Sequence, residues 1–107
     1  MRLIKTNRHK SKKIMQSARG QDCTLRLANP CSSTETTVGC HIGFNGSGIG
    51  TKDSDLFIAY GCSNCHDIID GKVKRPMGLS RNMMDWCKAR AMQETQQKLL
   101  DIGLITI

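Results

Sequence analysis

The sequence predicts a small α+β domain that ends in a long helix and is braced by cysteines gathered on a metal. Three observations lead there. Cys62-Ser63-Asn64-Cys65-His66 sets two thiols and an imidazole side by side, with Cys23 and Cys31 upstream. Two short apolar segments, 38–42 and 56–60, have strand character, and the second turns at Gly61 into the cysteine pair. From Ser80 a helix runs to about Asp101, with Ser80 as N-cap and Gly103 closing it.

The elements follow in order. Residues 1–10 read as a basic lead-in. A short helix over 11–19 has Ser11 as N-cap and Gly20 as its stop. Cys23-Thr24-Leu25-Arg26-Leu27 alternates in the manner of a strand, and Asn29-Pro30 makes the turn that delivers Cys31. Residues 32–37 form a polar loop before the strand at 38–42, which carries Cys40 and His41. Residues 43–50 are half glycine; without a Lys-Ser/Thr in register they read as a flexible loop rather than a phosphate cradle. Leu56 to Tyr60 is the best strand in the chain. A helix over 63–70 ends at Gly71. Residues 72–79 are a basic connection. In the last helix Met84, Cys87, Ala91 and Leu99 share much of a face that packs on the cysteine core, with Cys87 as core rather than ligand. The apolar tail 104–107 can pair as an edge strand or dock on a partner, including a second copy.

Charge divides the chain in two. The formal net charge is +7 over 107 residues. Residues 1–20 hold seven Lys or Arg and no acid, while the rest carries nine of each sign. The division expected is a basic arm with a short helix, 1–20, and a zinc-bound domain, 21–107. Arg8, Lys10, Lys12, Lys13 and Arg19 suit a polyanion, DNA or RNA; the alternative is a solvated tail. A composition of 38% hydrophobic and 4% aromatic residues makes a thin core, of the kind often reinforced by metal or disulfides. The basic N-terminus has no apolar stretch behind it, and no run is long enough to span a membrane, so the expectation is a cytoplasmic protein. In a reducing compartment close cysteines read as metal ligands before disulfides.

Cys62-x-x-Cys65 is a knuckle that points two thiolates at one ion. Tetrahedral zinc needs two more, for which Cys23 and Cys31 are the choice and Cys40 the rival fourth ligand. A full thiolate set makes this zinc structural. A second constellation surrounds His41, His66 and Asp70. His66 and Asp70 stand one helical turn apart and can hold a divalent cation, Mg²⁺ or Mn²⁺. If the strand at 38–42 packs on the helix at 63–70, His41 faces that pair across a small cleft and can deprotonate an attacking water. Asp55 can orient His41, and Asn64 can assist or cap the helix. Against this, His41 can be a satisfied structural histidine, and His66 with Asp70 a pair that merely supports the thiolates.

At these residues the chain resembles a family. Ala18-Arg19-Gly20-Gln21-Asp22-Cys23, Cys40-His41-Ile42, the glycine-rich loop, Asp55-Leu56, and Cys62 through Asp70 look like the small nucleases of phages and enterobacterial cryptic prophages, placed with the HNH (ββα-metal, treble-clef) superfamily. The resemblance covers about 15–75 and is most specific in the CxxCHxxxD segment. It implies a β-hairpin and helix around the active site with zinc bracing them, His41 as general base, and His66 as a metal ligand. Asp55 falls where HNH proteins often carry the middle Asn. Cys40 stands where many have an Asp or His ligand. The activity implied is metal-dependent endonuclease cleavage, of DNA first, in phage DNA processing or recombination, with a phage or host recombination protein as a possible partner. The rival reading is a non-catalytic zinc module that binds DNA. A third, c-type haem attachment through Cys62-x-x-Cys65-His66 with Met77, Met83, Met84 or Met92 as axial partners, needs export and leaves four cysteines unexplained.

Overall fold

The computed structural model describes residues 10–42 and 54–106. The chain enters at α1 (Lys12–Gln16). Ser11 is extended ahead of it, and its hydroxyl accepts the Ile14 amide at 3.2 Å, which caps a donor the helix cannot satisfy. The helix is shorter than 11–19. Ser17 turns its hydroxyl onto the Ile14 carbonyl 2.6 Å away, and the chain runs on in turns to Gly20, whose φ of +79° lets it leave.

The strand predicted at 23–27 does not form. Thr24 and Leu25 both donate their amides to the Tyr60 carbonyl, at 2.7 and 3.3 Å, and Arg26 takes a left-handed φ of +50°. The alternation there has another cause: Leu25 and Leu27 are buried among the cysteines, while Arg26 reaches out to Glu94 at 2.8 Å. A cis Asn29-Pro30 peptide turns the chain toward Cys31, and the polar loop contains one 3₁₀ turn, Thr34–Thr36.

Strands β1 (Val38–His41) and β2 (Ile58–Gly61) pair antiparallel, with Val38 opposite Gly61 and His41 opposite Ile58. The second strand starts later than Leu56 because Ser54 folds the preceding residues into a turn. Its hydroxyl accepts the Leu56 amide at 3.2 Å and its carbonyl the Phe57 amide at 3.0 Å. The glycine-rich segment between the strands lies outside the described residues.

From β2 the chain passes through Cys62, the N-cap, into α2 (Ser63–Ile69). Asn64 does not cap this helix; its amide donates to the Pro30 carbonyl at 3.3 Å and ties the helix to the Cys31 turn. The last helix, α3 (Arg81–Asp101), has the expected cap: Ser80 Oγ accepts the Met83 amide at 3.1 Å. The tail is not an edge strand. The Leu104 and Ile105 amides donate to the Leu99 carbonyl, at 2.9 and 3.3 Å, and their side chains pack onto the core beside Leu99. Among the described residues no helix is long and apolar enough to cross a membrane.

The hairpin separates two cores. Cross-strand partners share a face. Cys40 and Ala59 face one side, with Leu25, Leu27, Cys62, Cys65, Ile68, Met84 and Ala91. Ile58 and Tyr60 face the other, with Ile14 and Ala18 from the first helical segment and Leu99 from α3. A hydroxyl cluster joins the layers through the middle: Thr95 and Thr24 oxygens lie 2.9 Å apart, and the Tyr60 amide donates to both at 3.1 Å. The burial of Thr95 is invisible to an apolar periodicity, because its polarity hides it.

Candidate functional site

The four predicted cysteines meet. Ligand sulfurs of Cys23, Cys31, Cys62 and Cys65 all lie within 4.8 Å of one another, in a cluster that can hold a metal ion. Four thiolates at about 2.3 Å around a tetrahedral ion would stand roughly 3.8 Å apart, and Cys31 and Cys65 sulfurs are 3.8 Å apart. The backbone is also arranged for thiolates. Amides of Arg26, Leu27, Ala28 and Ser32 donate to the sulfurs of Cys23, Cys65, Cys65 and Cys62 over 3.2 to 3.4 Å. This is why the 23–28 segment bends rather than runs straight. The Cys65 thiol and the Arg26 amide bring Cys23 down to about 4. Burial and the Cys23 charge push Cys31 up to about 11. Cys40 lies outside the cluster. It is buried on β1 with its thiol toward the Val38 carbonyl, and burial, then the Asp70 charge, push it up to about 12. The structure thus removes Cys40 as the rival fourth ligand. Cys87 packs against the core, as expected.

His41 and Asp55 form a direct pair. His41 Nε2 is 2.7 Å from Asp55 Oδ1, and Asp55 Oδ2 accepts the Ser11 amide at 2.7 Å. The His41 side chain is 30% exposed and that of Asp55 only 7%. Burial alone would raise the Asp55 carboxyl, but the Ser11 amide and His41 outweigh it and hold it below its ordinary value. In the tautomer that donates from Nε2 to this carboxylate, the lone pair is on Nδ1. Beside Asp55 is a cavity of about 590 Å³ lined also by Lys10, Lys12 and Met15, so the start of the chain's described part sets two cations near that carboxylate. Lys13 and Arg19 are exposed nearby in sequence, and Arg8 lies outside the described residues.

His66 and Asp70 form a second pair, 3.1 Å apart at i,i+4 and more than a third exposed. The predicted cleft between the two pairs is not what the hairpin register builds. His41 shares its face with Ile58, toward α1, whereas α2 packs through Cys65 and Ile68 on the Cys40 face. Among the described residues no hydrogen bond or ion pair joins the two pairs. Sequence reading missed the Ser11 amide as the anchor of Asp55. Ser11 is legible only as a helix cap, and its contact spans 44 positions.

These features define a small cysteine-clamped α+β protein carrying two histidine–carboxylate pairs, one of them beside basic residues near the start of the chain. Residues 12–104 match the family described as "Putative nuclease YbcO", and the chain belongs to that family. It is 35% identical over 94 residues to "Putative nuclease YbcO" of Escherichia coli (strain K12), covering 86% of this chain and 95% of that one. The same figures hold for "Putative nuclease ybcO" of Enterobacteria phage 82. A solved structure, "Structure of a putative bacteriophage protein from Escherichia coli str. K-12 substr. MG1655", superposes with a TM-score of 0.66 at 31% identity, covering 83% of this chain and 98% of that one.

Proposed function

We propose that the protein is a metal-dependent endonuclease of the HNH type that cleaves DNA in phage DNA processing or recombination, braced by a structural zinc on Cys23, Cys31, Cys62 and Cys65. The observation that carries the reading is the His41–Asp55–Ser11 chain of hydrogen bonds, each 2.7 Å long. A partly exposed imidazole with one nitrogen fixed on a buried carboxylate is oriented as a general base. His41 Nδ1 takes the proton from a water as its oxygen bonds to phosphorus and the bond to the leaving sugar oxygen breaks. Asp55, acceptor-only while ionised, holds the ring in the required tautomer and stabilises the imidazolium that results. Lys10 and Lys12 neutralise the approaching phosphate.

His66 and Asp70 would hold a Mg²⁺ or Mn²⁺ ion. Two cis ligands at about 2.1 Å on an octahedral ion stand roughly 3.0 Å apart, and these atoms are 3.1 Å apart. Bound there, such an ion would supply Lewis-acid charge to a phosphate. The pair lies on the Cys40 side of the hairpin and His41 on the other, so the ion would grip the backbone beside the phosphate that His41 serves. The four-sulfur cluster suits zinc, since thiolates select it over Mg²⁺ or Mn²⁺, and a closed sulfur set leaves no open position for chemistry. The family name and the names of both relatives support the nuclease reading.

Supercoiled plasmid incubated with purified protein and Mg²⁺ or Mn²⁺ tests it. Nicking that EDTA abolishes and that His66→Ala lacks supports the assignment; nicking unchanged in His66→Ala refutes the cation site. A second reading, a DNA-binding zinc module without activity, is favoured by one observation. Cys40 beside His41 is buried and its thiol is pushed up, so it adds no ready ligand for a catalytic cation. DNA binding by zinc-loaded protein with no nicking in either metal would establish it.

A further inference from the structure

After α2 the chain loops through residues 71–80 before α3 begins. The loop and the start of α3 enclose a groove of about 630 Å³. Ile68 and Met84, both buried, line it together with Asp70, Lys74, Arg75 and Arg81. Lys72, Lys74, Arg75 and Arg81 are all exposed, and none has a carboxylate partner among the described residues. The loop that carries the first three is pinned, and Arg81 opens α3. The Lys72 and Val73 amides donate to the Asp67 carbonyl, at 2.9 and 3.4 Å, and the Leu79 amide to the Pro76 carbonyl at 3.0 Å.

We infer that this groove binds the phosphodiester backbone of the nucleic acid and leads one strand past Asp70. The inference rests on the nuclease reading and gives the substrate a path distinct from the N-terminal arm. Like charges held together on a fixed loop repel one another, and a polyanion removes that cost. Further along α3 the cations are matched instead: Arg90 pairs with Glu94, which also takes Arg26, and Lys88 pairs with Asp85. Here three cations share the groove lining with a single carboxylate, Asp70, which is also one of the two side chains assigned to the divalent ion. With the loop backbone held, binding there costs mainly the ordering of the exposed side chains. An acidic protein segment is the other polyanion to consider. The path past the His66–Asp70 pair favours the nucleic acid.

The test is fluorescence anisotropy of a labelled DNA duplex, in EDTA so that nothing is cleaved, with wild type and the triple variant Lys74→Gln/Arg75→Gln/Arg81→Gln. These side chains are exposed, so thermal unfolding of the variant should match wild type. The variant should bind at least roughly tenfold more weakly near physiological salt, and its log–log salt slope should be shallower by roughly 0.9 for each phosphate it no longer neutralises. Unchanged affinity and slope, with wild type still nicking plasmid, overturns the groove and leaves the nuclease reading standing. Groove-dependent binding by a protein that never nicks supports the groove and overturns the nuclease reading. A wild type that does not bind DNA overturns both.

Discussion

Replacing Cys65 by serine should separate a metal-braced fold from one that merely buries cysteines. Cys65 is fully buried, its sulfur lies 3.8 Å from that of Cys31, and it accepts both the Leu27 and Ala28 amides. A serine oxygen is a poor zinc ligand, so in the proposed zinc site the variant would lose one corner of the tetrahedron. Structural zinc binding contributes about 10–16 kcal/mol of apparent free energy in zinc-finger peptides, against a net stability of about 5–15 kcal/mol for a whole domain. Losing even a third of that contribution is a loss of about 3–5 kcal/mol, comparable to the lower end of that net stability. At about 4–8 °C per kcal/mol for a domain near this size, Tm should fall by at least ~15 °C. The assay is thermal unfolding together with metal content by mass spectrometry, on Cys65→Ser and on Cys40→Ser. Cys40 is also buried but lies outside the cluster, so its variant should keep one zinc per chain. A Cys65→Ser protein that keeps its zinc and melts within a few degrees of wild type would refute the reasoning, as would a Cys40→Ser protein that loses the metal.

The remaining predictions come from individual contacts. Asp55→Asn should lower the nicking rate far more than it lowers Tm, because the amide can still accept from Ser11 but no longer holds His41 as a carboxylate does; equal losses in rate and stability would assign Asp55 to the fold alone. The Asp55 carboxyl is held below its ordinary 3.8, so its stabilising contribution is complete above that pH and is lost as pH falls through the lower folded value. Urea unfolding between about pH 5 and 2 should therefore be less pH-dependent in Asp55→Asn than in wild type. Thr95→Val should cost only about 0.5–1.5 kcal/mol, because the Tyr60 amide and the Thr24 hydroxyl lose Thr95 but keep each other and the Tyr60 carbonyl; a loss well beyond that would mean the cluster cannot close around the valine. Gly61→Ala puts a Cβ 2.7 Å from both Cys40 Sγ and Leu25 Cδ1, and overpacking of this kind costs about 1–3 kcal/mol, readable as a lower midpoint in urea.

What could be read from the sequence was local. Ser11 and Ser80 cap their helices with their own hydroxyls, an interaction spanning three residues, so both helix starts were legible. The cysteine set was legible because ligand chemistry restricts the choice, although spacing alone left Cys40 in contention. The segment 23–27 misled because its alternation serves two thiolate-directed turns and a left-handed Arg26, not a ladder. Likewise, which face His41 takes depends on the pairing of His41 with Ile58. A register is a long-range fact, and a slip of one residue would send His41 to the α2 side. The clustering of Lys74, Arg75 and Arg81 around one groove was hidden for the same reason. The sequence shows a basic connection, but only the fold brings Arg81 and Asp70 to its walls.

The most direct measurement is single-turnover cleavage of DNA by His41→Ala, with zinc content, thermal stability and DNA affinity checked against wild type. A general base contributes about 10²–10⁴-fold, so the variant should bind DNA as wild type does and cleave at least ~100-fold more slowly in Mg²⁺ or Mn²⁺. Cleavage at the wild-type rate by folded, zinc-loaded His41→Ala would contradict the assignment of the His41–Asp55 pair as the catalytic centre.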